Sequence, residues 1–252
     1  MTALVDKREA RIRTMFGNIA PTYDFLNHLL SLNIDHYWRR KTTQLVPPTS
    51  DAPILDVCTG TGDLAFAYAK ASQYRAPIIG TDFCREMLVP ARVKARPFQR
   101  ARPSFQIQFL EADTQQLPFE ENQFQITTVA FGLRNVTDTD KGIAEMVRVT
   151  QPGGRIAILE FSRPKHRLLG RMYHFYFRHV LPRIGQLISR SKDNAYLYLP
   201  QSVMEFPDGD ALAERLRNHG LGHVRYYPLT FGIATLYVGE KVPRDSATSH
   251  TN

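Results

Sequence analysis

Cysteine is scarce: Cys58 and Cys84 are the two in 252 residues, and neither stands at metal-ligand or redox-motif spacing. This argues against a disulfide framework and a cysteine-built metal centre, and leaves two structural thiols, each just past the end of an expected strand. Long apolar runs are missing too. No stretch approaches the ~20 residues that cross a bilayer, so no membrane span is expected. The first residues, MTALVDKREARIRTMF, carry charge throughout and lack the apolar core and cleavage site of a secretory signal. The cytoplasm is the expected compartment. Acidic residues are outnumbered, 24 Asp and Glu against 32 Lys and Arg, for a formal charge of +8. That excess favours an anionic partner, which charge alone leaves open among nucleic acid, an anionic bilayer surface and an acidic small molecule.

What is present is an alternation. Short apolar runs at Pro53–Val57, Pro77–Asp82, Phe105–Glu111, Phe124–Phe131 and Arg155–Phe161 read as strands. Helical patterns near Leu64–Ser72, Cys84–Ala95 and Asp138–Val149 lie between them, so the expected fold is α/β with parallel strands joined by crossover helices. Gln151-Pro152-Gly153-Gly154 reads as a turn before the fifth strand. From Pro164 to Pro200 the rhythm breaks into a basic, aromatic stretch read as irregular helices interrupted near Pro182. A helix at Asp208–His219 and strands at His223–Pro228 and Ile233–Glu240 follow; their short link predicts an antiparallel pair. No internal repeat is visible.

The segment Asp56-Val57-Cys58-Thr59-Gly60-Thr61-Gly62-Asp63 runs from a buried strand into a helix through two glycines. Glycine permits the tight turn and lets a ligand approach the backbone. Nucleotide-binding folds of several kinds share such a turn, but Asp56 and Asp63 would oppose a pyrophosphate and suit a cationic or zwitterionic ligand. Asp82 ends the second strand where this class of site bonds ribose hydroxyls, or else it caps the following helix. Asp113, after the third strand, either accepts from an adenine amino group or shapes a turn.

Five separated motifs then carry a resemblance that spans about Arg13 to Lys241: FGNIAPTYDFLN with SLNIDHYWRR, DVCTGTGDLA, EADTQQLPF, FGLRNVTD and PGGRIAILEFSRP. The chain resembles the class I methyltransferases, and within them the ubiquinone and menaquinone biosynthesis C-methyltransferases. DVCTGTGD marks only the superfamily; FGLRN is the most specific. The resemblance implies a Rossmann-like, seven-stranded, mostly parallel sheet with an antiparallel last strand, helices on both faces, an N-terminal helical lid and an inserted helical cap. The expected division is a lid at 1–50, a cofactor-binding core at 51–162, a cap at 163–205, a closing helix and strands at 206–242, and a disordered tail at 243–252. The implied cofactor is S-adenosyl-L-methionine, with Asp56, Thr59, Gly60, Thr61, Gly62, Asp82, Phe83, Asp113, Thr114 and Ala130 as candidate binding residues. Ala130 stands where other members can carry serine, so only its backbone could serve.

The implied acceptor is a polyprenyl quinol, demethylmenaquinol ahead of a methoxybenzoquinol precursor of ubiquinone. Methylating its ring needs phenolate character, an aligned methyl donor and exclusion of water. Arg134 and Asn135 of FGLRN are the candidate catalytic pair, Arg134 as electrostatic partner of the phenolate because arginine stays protonated. The alternatives are a surface ion pair for Arg134 and a cap before Asp138 for Asn135. Tyr23 and Asp24 join them from the lid, where His28 and His36 are further base candidates by type, and the family often has histidine where this chain has Asp35. Between Arg163 and Lys192, arginines interleave with Tyr173, Phe175, Tyr176 and Phe177, either as a solvated cap helix or as a surface resting on anionic membrane. An RNA methyltransferase and a silent cofactor-binding protein are the rivals; no nucleic-acid partner is expected, and a homodimer is left open.

Overall fold

The computed structural model describes residues 9–164 and 195–243. Three helices come first, α1 at Glu9–Ile19, α2 at Tyr23–Leu30 and α3 at Ile34–Leu45. The alternation follows: β1 at Ile54–Val57, α4 at Asp63–Ala71, β2 at Ile78–Asp82, α5 at Arg85–Ala101, β3 at Ile107–Glu111, β4 at Phe124–Ala130, α6 at Thr139–Val149 and β5 at Thr150–Phe161. After the undescribed stretch come α7 at Ala195–Glu205, α8 at Asp210–Asn218, β6 at Leu221–Leu229 and β7 at Ala234–Lys241.

The strands form one sheet in the order β3-β2-β1-β4-β5-β7-β6. The first five are parallel, and β7 runs antiparallel to both β5 and β6. The order reverses between β1 and β4, which opens a crevice at their carboxyl ends.

Alternation within strands divides the core between the two faces. Ile54, Ala157 and Leu159 face α3, α4 and α5 beside Trp38, Leu64 and Leu88. Their neighbours Leu55, Val57, Ile156 and Ile158 face α6 and α8 beside Ile143, Met146 and Leu212. With both faces covered, each such buried Leu or Ile contributes about 1.5–3 kcal/mol over an exposed one.

Two expectations are corrected. The helix expected to stop at Ala95 continues to Ala101 through Pro90 and Pro97. Proline removes a helix donor, yet Phe98 stacks on Phe66 at 5.2 Å and meets Tyr74 at 6.3 Å, so packing beyond Pro97 holds the last turns. The expected turn at Gln151–Gly154 lies inside the bounds of β5. Phe124 pairs with Thr150 and Ile126 with Arg155, so the turn residues sit as an irregularity opposite Gln125, with Gly153 at φ +73°. The basic aromatic stretch lies outside the described residues as far as residue 194, including the break expected near Pro182, and so does the tail beyond Pro243.

Candidate functional site

A cleft enclosing about 620 Å³, its open mouth included, lies at the carboxyl ends of β1, β2, β3 and β4. Eight residues singled out in the sequence line it: Tyr23, Gly60, Asp82, Phe83, Asp113, Thr114, Ala130 and Asn135. The backbone at its floor is unusual. Cys58 and Phe131, just past β1 and β4, hold φ of +49° and +58°, and Gly60 and Gly62 hold +57° and +87°. Side-chain residues rarely adopt such values, and when they do the surroundings enforce it.

Asp82 ties the loops together. Its Oδ2 accepts from the Gly60 N–H at 2.9 Å and its Oδ1 from the Cys84 N–H at 2.9 Å. Asp82 thus braces the glycine loop against the turn leading into α5 and lines the cleft, while α5 itself has Cys84 as its N-cap residue and no side-chain cap. Burial pushes the Asp82 pKa up to about 6, against the two backbone donors. Asp113 is likewise double: Oδ1 accepts from the Gln115 N–H at 2.9 Å, shaping a turn, while the residue lines the cleft.

The remaining candidates are not in the cleft wall. Asp56 is buried beneath the loop, where Oδ2 accepts from the Thr59 hydroxyl at 2.6 Å, and burial raises its pKa to about 7. Gly62 is backed by the Phe66 and Phe109 rings, within 3.0 Å of where a Cβ would stand, so glycine is required there. Thr61 turns toward α2 and donates its hydroxyl proton to Asp24. Asp24 also accepts from Lys94 at 2.9 Å, so its carboxylate is engaged away from the cleft. His28 Nδ1 donates to Asp35 Oδ2 at 2.7 Å, and its ring stacks on His36 at 4.3 Å between centroids. Asp35 is held to about 2: burial would raise it, but Arg39, Ser31 and His28 together outweigh that. Neither histidine lines the cleft.

Arg134 is not a surface residue. It is 6% exposed, its Nη1 donates to Glu160 Oε2 at 2.8 Å and to the Phe131 carbonyl, and its guanidinium lies 5.3 Å from the Phe161 ring centre. Its Nε is buried without a partner among the described residues. The turn before Asp138 is closed by backbone bonds, from the Asn135 N–H to the Gly132 carbonyl and from the Val136 N–H to the Leu133 carbonyl, and Asp138 caps α6, accepting from the Lys141 N–H at 3.0 Å. Asn135 Oδ1 instead accepts from the Tyr198 hydroxyl at 3.1 Å.

Tyr198, on α7, was not anticipated from the sequence. It packs with Ile12, Met15, Ile19 and Val203, so α1 and α7 close over the crevice together. Burial raises the hydroxyls of both tyrosines, Tyr198 to about 12, while Arg134 acts on each in the opposite direction. Near neutrality both are phenols that donate hydrogen bonds.

These features suit a cationic, nucleoside-bearing ligand: a carboxylate-walled cleft, a glycine loop open to backbone contact and an apolar flank of Ile12, Phe16, Phe83 and Met87. The sequence profile of the ubiE/COQ5 methyltransferase family matches residues 4–241. The chain belongs to that family. It is similar to the ubiquinone/menaquinone biosynthesis C-methyltransferase of Geobacter sp. strain M21, 46% identical over 96% of this chain and all of that one. It is also similar to the demethylmenaquinone methyltransferase of Deinococcus radiodurans, 45% identical over 94% of each chain. Among solved structures, an S-adenosylmethionine-dependent methyltransferase of Thermotoga maritima shares the fold, with TM-score 0.60 at 14% identity over 90% of this chain and 99% of that one. As a ubiE/COQ5 methyltransferase the protein is an enzyme whose methyl donor is S-adenosylmethionine. Among its described residues no helix is long and apolar enough to cross a membrane.

Proposed function

We propose that the protein C-methylates the ring of a polyprenylated quinol, with demethylmenaquinol as the acceptor, and that the fourteen sequence-selected residues divide into those that meet ligands and those that hold the wall. Asp82, Phe83, Gly60, Asp113, Thr114 and the Ala130 backbone hold the cofactor. Asp56, Thr59, Thr61 and Gly62 fix the loop from behind. Tyr23, Asn135 and Arg134 serve the acceptor, and Asp24 anchors the lid that carries Tyr23. Bound S-adenosylmethionine supplies an electrophilic sulfonium methyl group.

The observation that carries this reading is the cleft's two-sided lining. Tyr23 and Asn135 offer hydrogen bonds beside an apolar wall of Ile12, Phe16 and Phe131. A quinol head with an apolar tail matches both. Arg134, paired with Glu160, draws the Tyr23 and Tyr198 hydroxyls toward the anionic form against the burial that raises both, and it would act in the same direction on a phenolate oxygen held beside them. Tyr23 and Asn135 orient the acceptor's oxygens, and the lid helices exclude water.

The decisive measurement incubates the purified protein and labelled S-adenosylmethionine with reduced demethylmenaquinone and, separately, with the 2-polyprenyl-6-methoxy-1,4-benzoquinol precursor. Label in the first lipid is expected; label in the second alone reassigns the acceptor, and label in neither overturns the function. An acceptor with a polyprenyl tail also calls for contact with an anionic bilayer. Residues 163–192 carry eight Lys and Arg and no Asp or Glu, which supports such contact. Flotation with anionic liposomes should be salt-sensitive; no flotation would remove the membrane from the account.

A further inference from the structure

The acceptor and cofactor residues leave one buried-edge network unexplained. Three carboxylates converge from three elements: Asp24 of α2, Asp35 of α3 and Asp63 at the start of α4. Lys94 reaches over from α5 and bridges two of them, donating to Asp24 Oδ2 at 2.9 Å and to Asp63 Oδ1 at 2.8 Å. Arg39 pairs with Asp35 and lies 3.5 Å from Asp63 Oδ2; His28 lies 3.8 Å from the same oxygen. The other arm of Asp24 holds the Thr61 hydroxyl, between the two left-handed glycines of the loop.

We propose that Lys94 is a positioning residue that locks the lid to the cofactor loop, so that Tyr23 and the loop are placed as one body when S-adenosylmethionine binds. This rests on the loop after β1 being the cofactor's seat. Asp24 adjoins Tyr23, which lines the cleft, and Asp63 begins the helix that the loop enters. One ammonium therefore sets the position of the lid side of the cleft and of its floor.

The electrostatics make Lys94 the keystone rather than one of several equal contacts. Burial would raise the Asp63 pKa, but Arg39 and Lys94 outweigh it and hold the group ionised. Asp24 has no second lysine or arginine within ion-pair distance among the described residues. Without Lys94, Asp24 and Asp63 face each other as like charges in a partly buried site, and Asp24 is the partner free to leave, because α2 is a short helix of eight residues that carries Phe25 and Leu29 exposed. Asp24 would take Tyr23 with it and release Thr61. The Lys94 side chain also lies 5.8 Å from the Phe66 ring centre, whose helix begins at Asp63, which fixes the direction from which the ammonium approaches.

The test is binding of S-adenosylhomocysteine by calorimetry together with hydrogen exchange of residues 23–30, in wild type, Lys94→Met and Lys94→Arg. Wild type should bind and gain protection over α2. Lys94→Met should bind at least tenfold more weakly and lose that gain of protection, while its melting temperature stays within a few degrees of wild type. Lys94→Arg should restore both. In turnover, Lys94→Met should raise the KM for S-adenosylmethionine more than it lowers kcat. Unchanged binding and protection in Lys94→Met would overturn the proposal, as would wild type that binds without protecting α2. Wild type that binds no S-adenosylhomocysteine would overturn the cofactor seat itself, a separate failure. Should Lys94→Met not fold, Asp24→Ala removes both acceptor oxygens of the lid arm and leaves the Lys94–Asp63 pair; full α2 protection in that variant would equally sink the latch.

Discussion

Asn135 accepts a hydrogen bond from the Tyr198 hydroxyl at 3.1 Å, across 63 residues of sequence. The bond fixes which end of the amide is occupied: Oδ1 is taken, so the NH2 group is the end left to meet an acceptor oxygen in the cleft. Removing the hydroxyl frees the amide to turn. Tyr198→Phe should lower kcat/KM for the quinol about tenfold, the value of one hydrogen bond of ~1–1.5 kcal/mol. S-Adenosylhomocysteine affinity should not change. Quinol kinetics equal to wild type would take Tyr198 out of the acceptor site.

Glu160 is 1% exposed and holds three groups: Arg134 Nη1 at 2.8 Å, the Arg134 N–H at 3.2 Å and the Phe161 N–H at 3.2 Å. Cutting one partner from a buried pair strands the other charge, at about 3–5 kcal/mol. Glu160→Ala should therefore lower the unfolding free energy from urea denaturation by that amount, without direct contact with either ligand. A shift under about 1 kcal/mol would mean that water reaches the guanidinium.

Asp82 carries a pKa raised to about 6 and Asp56 one raised to about 7, both by burial. A raised carboxyl means that the folded protein holds protons the unfolded chain has released. Their contribution to stability is full below the unfolded value near 4 and fades as pH rises through 6 to 7. The ligand runs the other way. A donor carrying ammonium and sulfonium charge prefers the ionised Asp82, so its affinity should fall as pH drops below about 6, at most tenfold per pH unit. Titration of S-adenosylmethionine binding between pH 5 and 8 checks this, and Asp82→Asn should flatten the dependence. A wild-type affinity that is level across that range contradicts the assignment.

Much of the architecture was legible because it follows from local chemistry. Short apolar runs marked all five parallel strands, that of β1 buried throughout and that of the edge strand β3 buried only at Ile107 and Phe109, and the short link after β6 marked the antiparallel pair. The loop after β1 was legible from its glycines and acids. Side-chain direction was not. Whether Thr61 faces a ligand or Asp24 depends on α2, which arrives from elsewhere in the chain, and no residue near Thr61 encodes that meeting. Arg134 read equally well as a surface pair, because its partner Glu160 sits in an ordinary apolar strand pattern. Lys94 and Tyr198 carried no signal: one is a basic residue in a basic helix, the other a tyrosine in the run YLYLP. The Pro97 continuation likewise depended on rings outside its own helix.

Gly132 closes the crevice floor. A Cβ built there would stand 2.4 Å from the Cys58 Cβ and 3.2 Å from a Val129 methyl carbon. The first contact is to a β-carbon, which no rotamer change relieves, and Cys58 already holds φ +49°. Gly132→Ala must therefore push the β1 and β4 loops apart, at about 1–3 kcal/mol or more for overpacking. Both residues line the cleft, so cofactor affinity should fall with stability. Cys58→Gly removes the opposing Cβ at a position whose backbone already suits glycine, and the cost is the contact of its Sγ with the Thr114 hydroxyl at 3.3 Å. Alone it should remain within about 1 kcal/mol of wild type. In the double variant it should restore most of what Gly132→Ala loses. Strict additivity of the two single changes, measured by denaturant midpoint and by S-adenosylhomocysteine binding, would show that the two loops do not meet there.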